Sequence, residues 1–552
     1  MMATLLKIYY EWDSKRIERT ALLLAFLVFL GMRLFAASPY YTIQGGDDAR
    51  YLALAQESPR HTLGNNELYL LHPPLYPYVL HFFSIFMEDH RAGLFLSLLS
   101  GAATFFLLYA LMRLLSGNFF ASFLAVLLYS LSVIFINFDK AIIKEPFSTA
   151  LILGCLTFYL FFLKKKGKKF LAFSVVCGAA TSLATDHAIL LIPAIMACFI
   201  FFGEWRNWRY SLLLLLAVAL PYAAWLGIKA YVYSTHEYYP AAFDGTVVKT
   251  EGWGFRQLLS SQFFPDVAFT TPFGISFEVS HYFYPLLYML NLIVAPYPPG
   301  LRFETLQDIL STDYFFQIII YPLLAFLLLF FIYRAAIAAG GRNMEGNGIL
   351  LCIILFLIFL FPLTQKLTST RFTATAALLL YGMVGIGTTE LFRYVNMPKN
   401  IALWTSLSLV GLSLIFVPFY IIHHPHLLLA SEKVVEASRT AEFLANLPKD
   451  GVMAQIGYSQ ELNYLLDKRV LDLPSSSNYM FLIQRYNINY LVYGEFWMKP
   501  FSEGDKESLY NYDVIKYIRE HPEQFRLINV VNESYPTIPK IDHVYVYEVM
   551  RT

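Results

Sequence analysis

The chain reads as a polytopic α-helical membrane protein that carries a small α/β domain toward its C-terminal end. Three observations predict this class. Of 552 residues, 57% are hydrophobic and only 15% charged, with a mean hydropathy of +0.51; soluble domains carry nearer a quarter charged residues. Apolar runs approaching the ~20 residues that cross a bilayer recur up to position 422. Beyond it the composition turns polar, and short β-type runs alternate with helix-compatible segments.

The elements follow in order. The first nineteen residues carry Lys7, Lys15, Arg16 and Arg19, a basic excess that marks a cytoplasmic start. The apolar run begins only at Thr20, and no clear small-residue cleavage site follows it. It therefore reads as a retained first transmembrane helix over 20–37 rather than a cleaved signal. Arg33 lies near its outer end, where it either snorkels outward or faces a polar chamber. Residues 37–91 form an outer loop. Within it, 74–86 is apolar but short and proline-bearing, which suits an interfacial or re-entrant helix.

Further spans are expected over 92–115, 119–137, 147–163, 170–184, 187–202, 210–231, 313–333, 349–363, 372–391 and 401–422, about eleven in all with the first. With the start inside, Arg113, the run Lys164-Lys165-Lys166-Gly167-Lys168-Lys169, Arg206 with Arg209, Arg334 with Arg342, and Arg393 with Lys399 all fall inside. An odd count puts the C-terminal end outside. The outer segment 234–312 is rich in Tyr, Phe, Pro and Gly; it is either a lid or binding loop, or an interfacial aromatic belt.

The chain divides into a transmembrane domain over 1–422 and an extracytoplasmic α/β domain over 423–552. The second has expected strands at 452–457, 470–473, 488–493, 525–531 and 544–549, with helix-compatible segments at 432–445, 459–466 and 510–519. It has no glycine-rich phosphate loop. Asn532-Glu533-Ser534 has the form of a glycosylation acceptor, a tripeptide common by chance. Cys155, Cys177, Cys198 and Cys352 all lie in apolar runs and read as small buried residues, neither a disulfide framework nor a zinc site. A net charge of +1 gives no bulk attraction for nucleic acid.

Charge-based topology also sorts the polar residues near helix ends. Asp47, Asp48, His72, Asp139, Lys140, Lys144, Glu145, Asp186, His187, Gln365, Lys366 and Arg371 all fall at the outer face. Transporters place ionisable groups near the midplane, reachable from both sides. A one-sided cluster instead suits chemistry at the membrane surface on a substrate with a lipid tail. Two adjacent carboxylates, Asp47 and Asp48, can serve as general base and metal ligand, as base and positioning group, or simply as a cap on a helix starting near Ala49. His72, Lys366 and Arg371 can grip a phosphate. An acid beside a phosphate grip can activate an acceptor and stabilise a departing phosphate.

These motifs carry a family resemblance. Asp47-Asp48-Ala49-Arg50-Tyr51 resembles the Asp-Glu-x-Arg-Tyr element of the GT-C membrane glycosyltransferases, in the bacterial branch of protein O-mannosyltransferases and lipid A aminoarabinose transferases. His72-Pro73-Pro74-Leu75 resembles that branch's [His/Lys]-Pro-Pro-[Leu/Met] element. Glu145-Pro146-Phe147 resembles an acid followed by proline at an outer helix start, and Arg371 an arginine opening a late helix. The likeness of layout covers about the first 420 residues. There are departures: Leu71 stands where aminoarabinose transferases carry an acid before Lys-Pro-Pro, and Asp186-His187 where the family often has a basic residue. His187 either substitutes for it or is a helix-start histidine with no ligand.

The resemblance implies a GT-C-like fold and inverting transfer of a sugar. The donor is a polyprenyl-phosphate sugar, and the acceptor is a hydroxyl or amine on a lipid, glycan or protein. Asp47 is the implied base, with Asp48 or Glu145 positioning the acceptor. His72, Arg371 and Lys366 are the implied phosphate grip, with His187, Lys144 and Arg50 as additional candidates. No cofactor is required by this scheme; a divalent metal, where used, falls to Asp47, Asp48 and His72. The expected setting is a bacterial inner membrane with the site and C-terminal domain outside. Two competing readings are a flippase for lipid-linked saccharide, which predicts polar residues at mid-helix and inverted halves, and a non-catalytic scaffold, which leaves the acid and His-Pro-Pro elements unexplained.

Overall fold

The computed structural model describes residues 2–37, 51–52, 54–55, 73–165, 167–235, 330, 333–334, 344–360, 374–396, 408, 439–448, 452–456, 470–472, 483, 488–494, 517–535 and 538–550. Asp47, Asp48, Arg50, His72, Lys366 and Arg371 lie outside the described residues, as do nearly all of the long segment 234–312 and of the expected spans 313–333 and 401–422.

Apolar sequence becomes helix here because a chain in hydrocarbon must satisfy its backbone internally. In order the helices are α1 (Met2–Ala37), α2 (Leu75–Ser84), α3 (Asp89–Ser116), α4 (Phe119–Leu131), α5 (Val133–Lys140), α6 (Lys144–Lys165), α7 (Lys168–Ala184), α8 (Leu191–Phe202), α9 (Trp208–Thr235), α10 (Met344–Leu360), α11 (Ala374–Tyr394) and α12 (Arg439–Ala445). A 3-10 turn, Asp186–Leu190, leads into α8. Four described helical segments are long and apolar enough to cross a membrane: Asp89–Ser116, Lys144–Lys165, Trp205–Ile228 and Ala374–Tyr394. The protein is a multi-pass membrane protein.

Packing follows the membrane pattern, with bulky groups outward and small or hydroxyl groups between helices. Leu213, Leu220, Val176 and Ile200 are exposed on the outside of the bundle. Inside, Ser182 donates to the Val218 carbonyl at 2.8 Å and Ser174 to that of Cys155 at 2.8 Å. Cys155, Cys198 and Cys352 are buried, and Cys177 is half-buried; all four are free.

Three expectations about the helices are corrected. The first helix does not begin near Thr20 but runs unbroken from Met2, because no Gly or Pro interrupts the basic segment. The expected span over 119–137 is two helices, because Ser132 adopts an extended conformation, with φ −67° and ψ 115°, between α4 and α5. The expected span over 187–202 is a 3-10 turn followed by a twelve-residue helix, short of a bilayer's thickness.

Contacts between helix ends define two ends of the bundle. Glu18 and Arg113 approach at 3.5 Å, Lys164 donates to the Leu114 carbonyl, and the Lys164 ammonium lies 4.7 Å from the Phe202 ring. At the turn between α3 and α4, Gly117 has φ +65° and Asn118 accepts from the Phe120 amide at 2.8 Å. The short basic connections thus gather at one end. The starts of α6 and α11 and the turn before α8 lie at the other.

The C-terminal part contains a mixed five-stranded sheet in the order β2-β1-β3-β5-β4. Its strands are β1 (Val452–Ile456), β2 (Val470–Asp472), β3 (Ile488–Gly494), β4 (Phe525–Tyr535) and β5 (Ile538–Val549). β1 pairs in parallel with β2 and β3, whereas β5 runs antiparallel to β3 and β4. Alternation along β5 puts Val544 and Val546 into a core with Tyr490, Val492 and Leu444 of α12. The opposite face stacks Tyr493 on Tyr545, with ring centres 4.9 Å apart. Burial, with Tyr547 alongside, pushes the Tyr493 hydroxyl well above the usual phenol range. Asn532 lies within β4, its side chain 2.7 Å from the His543 ring.

Candidate active site

The candidate site is built at the non-basic end of the bundle, where α6 begins. Its first turn holds Lys144, Glu145 and Pro146, all buried. Proline is tolerated in a first turn because its missing N–H would have no intrahelical partner there. A carboxylate in this turn also meets the positive end of the helix dipole. Glu145, Ser148, Thr149 and Ile152 fall on one helical face, and all four line a single cavity.

The opposite wall comes from the turn before α8. Thr185 accepts from the His187 amide at 3.3 Å, which fixes the entry of the 3-10 turn. Thr185, His187 and Leu190 line the same cavity, joined by Phe359 of α10 and Thr375 of α11. Thr149 and Thr375 lie 3.4 Å apart, oxygen to oxygen, tying α6 to α11. The cavity gives water-sized molecules about 30 Å³ for their centres, enough for one or two waters. The lining therefore offers a carboxylate and an ammonium from α6, an imidazole from the opposite wall, and the hydroxyls of Ser148, Thr149, Thr185 and Thr375 beside apolar Ile152, Leu190 and Phe359. Such a set can hold a polyhydroxylated or anionic group and move a proton to or from it.

Lys144, Glu145 and His187, which come from two separate connections in sequence, are thus brought together. Asp139 and Lys140, expected at the outer face, are buried at 3% and 4% exposure. Asp139 faces Arg33, not the cavity: Arg33 Nε lies 2.9 Å from Asp139 Oδ2, with both side chains 1% exposed. Arg33 therefore does not snorkel outward. It donates to the carbonyls of Ser130 and, at 3.2 Å, Tyr129 at the end of α4, the latter also accepting from the Ser132 amide at 3.3 Å. The hydroxyls of Ser148, Thr149, Thr185 and Thr375 went unmarked by sequence reasoning. For Ser148 and Thr149 the signal was the i, i+3, i+4, i+7 spacing from Glu145 through Ser148 and Thr149 to Ile152, which places their hydroxyls on the acid's own face. Among the described residues no three His, Cys, Asp or Glu side chains gather as a metal site; the metal assignment to Asp47, Asp48 and His72 lies outside them.

Comparison with known proteins bears on this geometry. Residues 71–226, which include Lys144, Glu145 and His187, match the family described as dolichyl-phosphate-mannose-protein mannosyltransferase. ArnT from Cupriavidus metallidurans in the apo state is similar in structure, with a TM-score of 0.57 at 10% identity over 95% of this chain and 97% of that one. The same protein bound to undecaprenyl phosphate gives 0.55 at 11% identity over the same shares. The Archaeoglobus fulgidus oligosaccharyltransferase in the apo form gives 0.52 at 13%, over 87% of this chain and 70% of that one. The chain has the GT-C fold. No curated protein matches it by sequence. Low identity with shared architecture means that the helices and the sheet follow the GT-C arrangement while side chains have diverged widely. The likeness is to glycosyltransferases at both levels, in the matched segment and in the fold.

Proposed function

We propose that the protein is a glycosyltransferase that moves a sugar from a polyprenyl-phosphate donor to an acceptor hydroxyl or amine, with inversion. The observation that carries this reading is the meeting of Glu145, Lys144 and His187 in one hydroxyl-lined cavity, at the end of the bundle away from the basic connections. Two further facts support it: the matched segment spans these residues, and the similar ArnT structure holds undecaprenyl phosphate.

In the proposed reaction, Asp47 takes the proton of the acceptor hydroxyl or amine as the acceptor attacks the anomeric carbon. Glu145 and Asp48 orient the acceptor. The bond from that carbon to the phosphate oxygen breaks, and the leaving phosphate is stabilised by His72, Arg371, Lys366 and Lys144, which act most strongly where water is excluded. His187 closes the cavity opposite Glu145, and Arg50 is an additional candidate for the site. The site faces the periplasm of a bacterial inner membrane, and 423–552 lies on the same side as an accessory domain, apart from the transmembrane domain 1–422. The polyprenyl chain stays in the outer leaflet, and the acceptor is a cell-envelope lipid, glycan or protein.

The test is release of polyprenyl phosphate from a radiolabelled polyprenyl-phosphate sugar by the purified protein when candidate acceptors are added. Wild type releases it, and Asp47→Asn does not, while expressing and folding normally. Transfer of intact donor across a vesicle without release would replace this reading with a flippase.

A further inference from the structure

We infer that the buried Arg33–Asp139 pair, seated on a small-residue stripe of α3, is a positioning device that sets where Lys144 and Glu145 stand. The importance of those two residues rests on the proposed transfer; the device itself rests on geometry.

The chain reaches α6 through two breaks. It leaves α4 at Ser132, forms the short α5, and turns through Ala141, Ile142 and Ile143 before Lys144. Each break is held by a specific partner. At the first, Arg33 caps the carbonyls of Tyr129 and Ser130, and Tyr381 of α11 donates to Ser132 at 2.9 Å. At the end of α5, Asp139 Oδ2 accepts from Arg33 Nε and from the Tyr129 hydroxyl, each at 2.9 Å. At the second break, Ser97 of α3 donates to the Ala141 carbonyl at 2.6 Å.

The surface beneath is shaped for this path. Gly93, Ser97 and Gly101 recur every four residues along α3 and so share one face. A Cβ on Gly101 would lie 2.8 Å from the Asp139 carboxyl carbon, and one on Gly93 would lie 2.6 Å from Ile142. Only a bare backbone admits the corner that closely. The guanidinium is meanwhile sandwiched, 4.2 Å from the Phe29 ring centre and 4.9 Å from that of Tyr129.

A buried ion pair is a poor device for stability alone, since apolar residues of the same volume usually serve as well. What it adds is direction. Arg33 has a planar fork, and here Nε, Nη1 and Nη2 bind three acceptors on both sides of the Ser132 break at once. The angle between α4 and α5 is fixed by that fork, and the start of α6 follows four residues after Lys140.

The test reads the position of Glu145 without needing a donor. In the full chain, Glu145→Cys is labelled with a charged, membrane-impermeant methanethiosulfonate, and the protein without that substitution gives the background of the native cysteines. Adding Asp139→Asn should change the labelling rate at least fivefold, and adding Arg33→Lys should give an intermediate change. Cooperative thermal unfolding should persist, and labelling of Trp205→Cys, at the basic end, should not move. A folded Asp139→Asn variant labelled at the original rate would overturn the inference. If that variant does not fold, Tyr129→Phe removes one hydrogen bond to Asp139 alone; a twofold or larger change supports the device, and none overturns it. Undecaprenyl phosphate binding to the unmodified protein is measured alongside. Its absence would remove the proposed transfer and leave the labelling result standing.

Discussion

The two ends of the helical bundle use charge in opposite ways. At the basic end, Lys165 and Lys169 lie over the rings of Phe161 and Phe170, at 5.1 and 5.3 Å, and Arg209 lies over Trp208 at 5.9 Å. These cations sit at the edge of the bundle with stems along aromatic surface and heads toward solvent. At the other end, Arg33, Asp139, Lys140, Lys144 and Glu145 are all buried. A charge that keeps its water costs little and can serve to orient the chain. A charge stripped of water must be held by partners, and such holding confers geometry. The difference separates residues that place the protein in the bilayer from residues that shape its site.

The largest expected effect breaks the buried end. Asp139→Leu strands the Arg33 guanidinium among apolar groups and should cost on the order of 3–5 kcal/mol, while Arg33→Leu with Asp139→Leu should recover most of that loss. Denaturation of the purified single and double variants measures it. If the double variant is no better than the single, the network matters through its backbone capping and not through the ion pair. A middle effect comes from the stripe beneath. Gly101→Ala drives a methyl group against the Asp139 carboxylate, and overpacking of this kind costs about 1–3 kcal/mol. Gly31→Ala on α1, where an added Cβ meets nothing within 4 Å, is the matched control and should be neutral or slightly stabilising.

Much of this was legible in the sequence because bilayer chemistry is coarse. Apolar length marks the helices, and the β-type runs locate all five strands, although the hairpin of β4 and β5 extends well beyond the runs at 525–531 and 544–549. Those extensions carry polar residues such as Asn532, paired with His543, and Glu533, paired with Asp542, which join the ladder without leaving an apolar signal. The break at Ser132 was hidden for the converse reason. Val133, Ile134, Phe135 and Ile136 continue the apolar run, and what opens the helix is a guanidinium from about a hundred residues earlier in the chain. Candidate site residues were readable where a motif named them, as with Glu145-Pro146. Asp139 was assigned to the non-basic end, where it lies, but its burial against Arg33 was not legible because helix ends and loop residues look alike in sequence. Its partner Arg33 was visible, but which way it turned depended on acceptors about a hundred residues later, the Asp139 carboxylate and the carbonyls of Tyr129 and Ser130.

The smallest expected effect tests the exposed end. Lys165→Gln removes a cation whose ring contact is worth about 0.5 kcal/mol at an exposed position. The side chain is exposed at the C-terminal end of α6. Stability should shift by less than ~0.5 kcal/mol, and the labelling rate of Glu145→Cys should stay the same, since a local change at one end of a packed helix has no partner through which to reach the other. Lys164 should be costlier than Lys165, because its ammonium both donates to the Leu114 carbonyl and lies over Phe202. Comparing the two neighbours isolates what partial burial adds to an otherwise equal charge. If Lys165→Gln proved as damaging as Asp139→Leu, burial would not be the variable that divides the two ends, and the distinction between orienting and shaping charges would fail.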